Sequence, residues 1–133
     1  MIQHQELVKC ARDGMAQAYA PYSKFRVGAA IKTARGKIYT GCNVENVSFG
    51  GTVCAERVAL WKAVSEGERE FEAVAIVNSS EDVVYPCGFC RQVMAEFAPK
   101  LHVIVASPTT QKVCALNEIL PYSFDHFVPN EKS

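Results

Sequence analysis

The sequence predicts an α/β fold: a three-layer α-β-α sandwich in which helices cover both faces of a sheet of mixed strand direction. Three observations predict it. Helix-like and strand-like segments alternate along the chain. Two strand-like segments, Phe71–Asn78 (FEAVAIVN) and Leu101–Ala106 (LHVIVA), are apolar almost throughout. No linker-like or low-complexity tract interrupts the 133 residues. A strand with no polar face needs cover on both sides, and helices supply it. The length suits one compact domain over residues 1–133.

Each element has a local reason. Between Gln5 and Ala20, apolar groups recur at Leu7, Val8, Ala11, Met15, Ala18 and Tyr19. This is the spacing of one buried helical face, and Pro21 ends it. Val27 to Thr33 is short and apolar, Ala34-Arg35-Gly36-Lys37 can turn, and Lys37 to Cys42 can return, which reads as a β-hairpin. Asn43 to Gly51 is rich in turn formers and reads as a loop. A helix starts near Cys54, runs through Val58, Leu60, Trp61 and Val64, and is capped by Gly67. The apolar run Phe71–Asn78 reads as a central strand, and Ser79 to Pro86 as a loop. A further helix spans Cys87 to Ala98 before Pro99, followed by the strand Leu101–Ala106. Lys112 to Leu116 reads as a short last strand and Asn117 to Leu120 as a helical turn.

Charge and composition exclude several function classes. Lys plus Arg and Asp plus Glu both number 14, so the formal net charge is zero. This argues against a dedicated electrostatic grip on nucleic acid or an anionic membrane. The N-terminal MIQHQELVKC lacks the basic-then-apolar layout of a secretory signal, and no apolar run is long enough to span a bilayer. The expected location is cytoplasmic. In a reducing compartment, six cysteines point to metal ligands or buried small apolar groups rather than disulfides. Cys10, Cys42 and Cys114 have no partner motif and read as core packing.

The other three cysteines carry chemistry. They lie in TVCAER (Thr52–Arg57) and PCGFC (Pro86–Cys90), each at a loop-to-helix junction. Unpaired backbone N–H groups and the positive end of the helix dipole favour thiolate there. Cys87 and Cys90 share a face of the first helical turn, and Cys54 can complete a trio. Three thiolates leave one tetrahedral position open, the pattern of a catalytic rather than a closed structural zinc. Glu56, two residues beyond Cys54, is placed to take a proton from a water at that position and deliver it to a substrate. Three thiolates around one Zn²⁺ carry net negative charge, so a positive group should offset them. Arg57 and Arg91, each directly after one of these residues, are placed to donate hydrogen bonds to thiolates. The alternatives are a redox C-x-x-C pair, or a closed four-ligand site. The latter lacks a fourth ligand, because His4, His102 and His126 stand alone.

The combination C-x-E followed by P-C-x-x-C resembles the zinc deaminases of nucleosides and nucleobases. With APYSKFRVGAA (Ala20–Ala30), TGCNVEN (Thr40–Asn46), TVCAERVA (Thr52–Ala59), PCGFCRQV (Pro86–Val93) and EILPYSF (Glu118–Phe124), the chain resembles the short, homotetrameric branch of the cytidine deaminase family along nearly its whole length. The resemblance implies a mixed five-stranded sheet between helices. It implies one zinc ion per chain on Cys54, Cys87 and Cys90, with Glu56 as proton shuttle. By the same resemblance Phe25, Asn43 and Glu45 bind the nucleoside, with the amide and carboxylate on the ribose hydroxyls. The backbone at Ala55 meets the pyrimidine carbonyl, and Phe124 reaches the base from a neighbouring subunit. Read alone, Asn43 would be a turn residue and Phe25 a core aromatic. The chain departs from the family pattern at Phe89, where a small residue is common, at Phe49, where tyrosine is usual, and at Val47, which replaces a smaller residue.

The implied activity is hydrolytic deamination of cytidine and 2′-deoxycytidine to uridine and 2′-deoxyuridine with release of ammonia, in pyrimidine salvage. The expected partner is a small nucleoside, with neither nucleic acid nor membrane. Two rivals remain: a deaminase of a modified cytosine nucleoside such as blasticidin S, and a non-catalytic zinc-stabilised interaction module. The first shares C-A-E and P-C-G-x-C; the second needs the zinc but not Glu56.

Overall fold

A computed structural model of the chain describes residues 2–125. The elements in order are α1 (Ile2–Met15), β1 (Val27–Thr33), β2 (Ile38–Cys42), a 3₁₀ turn (Phe49–Gly51), α2 (Ala55–Ser65), β3 (Phe71–Asn78), α3 (Gly88–Ala95), β4 (His102–Ala106), β5 (Gln111–Ala115) and α4 (Leu116–Ile119). The five strands form one sheet in the order β2-β1-β3-β4-β5. β1 is antiparallel to both β2 and β3, β3 is parallel to β4, and β4 is antiparallel to β5. The predicted hairpin, the mixed direction and the central position of Phe71–Asn78 are all present. No helix among the described residues is long and apolar enough to cross a membrane.

Both faces of the sheet are buried, which explains why β3 and β4 lack a polar alternation. On one face Leu7, Val8 and Ala11 of α1 pack on Ala30, Ala73, Ala75, Val77 and Ile104. On the other, Ala59, Leu60 and Ala63 of α2 and Met94 of α3 pack on Ile31, Val74, Ile76, Val103 and Val105. Successive residues of one strand thus serve different cores, as the two-residue period of a strand requires.

The first helix differs from expectation. It ends at Met15, five residues short of Ala20. Three i→i−3 bonds, from Ala16, Gln17 and Ala18, close its last turn. The chain then extends: the Tyr19 N–H donates to the Asn43 carbonyl, and the Tyr19 carbonyl accepts from the Glu45 N–H. This parallel bridge to Val44 takes Tyr19 away from the helical face that its spacing suggested. Pairing with a distant loop has overridden local periodicity.

The strand directions position the site. β2 and β3 are each antiparallel to β1, and β4 runs parallel to β3, so β2, β3 and β4 all point the same way. Their carboxyl ends share one edge of the sheet, where the register aligns Cys42 with Gly28 and Asn78 with Val27. α2 follows β2 and α3 follows β3, so both helices begin at that edge. Ligand sites of open α/β sheets lie there for the same reason.

Two glycines let the helices seat closely. A Cβ on Gly28 would stand 2.2 Å from the Ala11 carbonyl oxygen of α1, and one on Gly41 would stand 2.5 Å from both the Ala55 carbonyl oxygen and the Ala59 nitrogen of α2. These are backbone atoms and cannot rotate away. Gly41→Ala is therefore expected to lower stability by about 2–3 kcal/mol, as overpacking does. It should also push the start of α2 off the sheet. Urea denaturation of the variant measures the first effect, and chemical-shift changes at Cys54 to Glu56 report the second.

Candidate metal centre and substrate cavity

Cys54 is the N-cap of α2 and Cys87 the N-cap of α3, both with extended backbone. Cys90 lies in the first turn of α3 and is fully buried. The Cys90 N–H donates to the Cys87 sulfur at 3.4 Å, fixing that turn around its thiol. The Cys54 and Cys87 sulfurs are 3.8 Å apart, and the three Sγ atoms lie within 4.8 Å of one another. A tetrahedral zinc with bonds of about 2.3 Å separates its sulfur ligands by about 3.8 Å. The triad therefore fits three apices of a zinc site. Among the described residues no other group of His, Cys, Asp or Glu is close enough to hold a metal; His126 lies outside the described residues.

The electrostatics of the triad point the same way. Hydrogen bonding from Cys90, with further bonds from Arg57 and Cys87, pulls the Cys54 thiol down to about 5 despite burial. The bond to Cys54, together with burial and the charge of Glu56, pushes Cys90 up. Three sulfurs so close cannot all be anionic without a cation among them. A divalent ion removes that conflict, and thiolate is the form that binds it.

Glu56 is 4 % exposed. Burial, with a smaller push from Cys54, raises its carboxyl to about 7, against the opposing pull of its own backbone N–H and of Arg57. It lines a cavity of 270 Å³ together with Cys54, Ala55 and Cys87. Ser23, Asn43 and Glu45 supply polar groups to the same cavity, and Phe25, Val27, Ile76, Val84 and Tyr85 supply apolar walls. The sequence-predicted residues Phe25, Asn43, Glu45, Cys54, Ala55, Glu56 and Cys87 are thus brought together around one space. Phe124 is exposed and does not line it; its carbonyl accepts a hydrogen bond from Gln92. Val47 and Phe49 are also exposed, and the Phe49 ring packs edge-on against Tyr22 at 6.1 Å.

Asn43 and Glu45 also hold the cavity wall. The Asn43 Oδ1 accepts from the Val27 N–H at 2.9 Å, and its Nδ2 donates to the Phe25 carbonyl at 2.8 Å. Glu45 accepts from the N–H groups of Tyr22 and Ser23, each at 3.0 Å, and from the Ser23 hydroxyl. These bonds, that of the hydroxyl first, hold its carboxyl below the usual carboxylate range. They tie down a turn in which Lys24 has φ 61°, an uncommon conformation for a residue with a side chain. Sequence reasoning missed Ser23 and Tyr85. Their signals were adjacency alone: Ser23 sits two residues before Phe25, and Tyr85 directly precedes the Pro-Cys pair.

The two arginines divide. Arg57 donates to the Cys54 sulfur at 3.4 Å, as expected. Arg91 differs from the expectation of a thiolate contact: its Nε donates to the Pro86 carbonyl and its Nη1 to the Ile119 carbonyl, both at 2.7 Å. Its side chain reaches back past the N-cap of its own helix and ties the turn that presents Cys87 to α4. It braces the ligand turn through backbone, leaving the sulfurs to Arg57.

Asn43→Ala strands a part-buried acceptor, the Phe25 carbonyl, and a part-buried donor, the Val27 N–H, at once. It should cost about 2–4 kcal/mol, the sum of two unsatisfied groups of about 1–2 kcal/mol each. Asn43→Asp keeps the acceptor for Val27 but sets a carboxylate oxygen against the Phe25 carbonyl, so in denaturant titrations it should gain stability over the alanine variant only at acidic pH, where a protonated carboxyl can donate to that carbonyl.

Comparison with known proteins agrees with this geometry. The family model described as "Cytidine and deoxycytidylate deaminase zinc-binding region" matches residues 1–106. A cytidine deaminase of Halalkalibacterium halodurans is 45% identical over 123 residues, covering 90% of this chain and 92% of that protein. One from Sporosarcina psychrophila is 53% identical over 93 residues, covering 70% of this chain and 68% of that protein. The crystal structure of cytidine deaminase from Burkholderia pseudomallei superposes with a TM-score of 0.88 at 44% identity, covering 91% of this chain and 98% of that one. With a cysteine triad of zinc-site dimensions at the shared carboxyl edge of its sheet, the chain belongs to the cytidine deaminase family.

Proposed function

We propose that the chain hydrolyses the 4-amino group of cytidine and 2′-deoxycytidine, giving uridine, 2′-deoxyuridine and ammonia. The observation that carries this reading is a buried carboxylate, Glu56, facing the same cavity as a triad of zinc-site dimensions. Zinc held by Cys54, Cys87 and Cys90 would lower the pKa of a water at the open fourth position and so supply a nucleophile at neutral pH.

The chain's own residues do the rest. A Glu56 carboxylate oxygen takes the proton of the attacking water and passes it to N3 of the cytosine ring, as the new C–O bond forms at C4. The carboxylate then takes the proton of the new C4 hydroxyl and delivers it to the departing amine as the C–N bond breaks and the C4 carbonyl forms, so it ends as it began. Its burial keeps bulk water from competing for that proton. The backbone N–H of Ala55, in the first turn of α2, has no partner within the helix and is available to the base carbonyl. Phe25 covers the nucleoside. Asn43 and Glu45, held by the bonds described above, offer their remaining donor and acceptor capacity to the sugar hydroxyls. Holding those groups rigidly before substrate arrives reduces the ordering cost of binding.

We further read the working form as a homotetramer in which a neighbouring copy supplies Phe124, acting in the cytoplasm, where thiols stay reduced. Exposed Val47, Phe49 and Phe124 support a shared interface. Residues 1–133 act as a single domain in this reading. A modified cytosine nucleoside such as blasticidin S is the alternative substrate, and a competition assay against cytidine distinguishes the two.

Glu56→Gln should retain the metal and lose about 10²–10⁴-fold in turnover, the usual contribution of a positioned acid–base group. The assay follows the ultraviolet change from cytidine to uridine, with metal content measured on the same sample. A glutamine variant running near the wild-type rate would contradict the shuttle role.

A further inference from the structure

Phe89 stands inside the C-x-x-C turn, between Cys87 and Cys90, and is 65 % exposed. Core packing does not account for it. Its ring covers Arg57 instead: the guanidinium carbon lies 4.3 Å from the Phe89 centroid and 5.8 Å from the Trp61 centroid. Both distances fall within the range of cation–π attraction, and Phe89 is the closer. The Arg57 Nε is buried without a hydrogen-bond partner, while an Nη donates to the Cys54 sulfur. This guanidinium lies against two aromatic rings and the Cys54 sulfur, with its Nε closed off from solvent.

That placement has a consequence for the triad. Three thiolates around a divalent ion leave a net negative charge, and a fixed cation beside them favours the assembled site. A solvated arginine on a helix surface would sample many rotamers and spend little time against the sulfur. The Phe89 ring restricts those rotamers and shields the contact from water, where it would be weak.

We propose that Phe89 is a positioning residue for the metal centre: with Trp61 it clamps the Arg57 guanidinium against the cysteine triad and so strengthens zinc retention. The aromatic in the C-x-x-C interior and the arginine after Glu56 then form one unit reaching across from α3 to α2. This rests on the reading of the triad as a zinc site.

The test is chelator competition for zinc on the full-length, zinc-loaded chain, comparing wild type, Phe89→Leu and Phe89→Tyr, each with and without Arg57→Gln. Leucine keeps bulk but has no π face; tyrosine keeps the face. Phe89→Leu should weaken zinc affinity about 10-fold, and Phe89→Tyr should stay within about 2-fold of wild type. On the Arg57→Gln background, Phe89→Leu should have no further effect. In the cobalt-substituted chain, the sulfur-to-metal charge-transfer band should shift in Phe89→Leu and be restored in Phe89→Tyr. Wild-type affinity in Phe89→Leu, or the same loss with and without Arg57, would overturn the clamp while leaving the zinc reading intact. A wild-type chain that holds no zinc would overturn both.

Discussion

Three cysteine sulfurs held within 4.8 Å of one another are the constraint on which the rest of this structure depends. Thiolates at that spacing repel one another, and their mutual hydrogen bonding pulls the Cys54 thiol down and pushes Cys90 up. Only a rigid frame can keep the sulfurs together against that repulsion. The frame is the run β2-α2-β3-α3-β4, whose three strands point the same way and start both helices at one edge of the sheet. The contact of Gly41 with the first turns of α2, and the bonds of Arg91 to Pro86 and Ile119, set the two helix starts in place.

The charge of the centre and the burial of Glu56 are consequences of the same geometry. Cys54 ends one loop at the helix start, so the residue two further on lies in the first turn of α2, facing the cavity and closed off by the sheet. The carboxylate is pushed toward neutrality by that burial. Arg57, one residue on, turns to the sulfurs. One helical turn thus carries one cysteine of the triad, an orphan N–H at Ala55, a buried carboxylate and a counter-charge. Asn43 and Glu45 complete the opposite wall, and their bonds to the Tyr22–Val27 segment make the wall rigid before anything binds.

Much of this was legible in the sequence, for identifiable reasons. The strands β3 and β4 could be read because burial on both faces leaves an unbroken apolar run, and the hairpin because a short turn separates two such runs. The triad could be read because helix starts favour thiolate, and the two motifs sit at them. The end of α1 could not, since Ala18 and Tyr19 keep helical spacing while a bridge to Val44, distant in the chain, decides their conformation. The strand order was equally hidden, because it depends on long-range pairing. Arg91 was misjudged for a related reason: its neighbour Cys90 is close in sequence, but the carbonyls of Pro86 and Ile119 are what its guanidinium meets. Asn43 shows the limit of reading by residue type, since an amide in a loop reads as a turn residue and only the family resemblance pointed to a sugar.

The central claim is that metal held by the triad and catalysis in the adjoining cavity are inseparable. The most direct measurement follows bound zinc and the ultraviolet change of cytidine to uridine in one sample, while a chelator withdraws the metal and zinc is then returned. The account predicts about one zinc per chain at the start, turnover falling in proportion to zinc removed, and recovery when it is restored. Turnover that persists after the metal has gone, or a fully loaded chain inert toward cytidine and deoxycytidine, would contradict it.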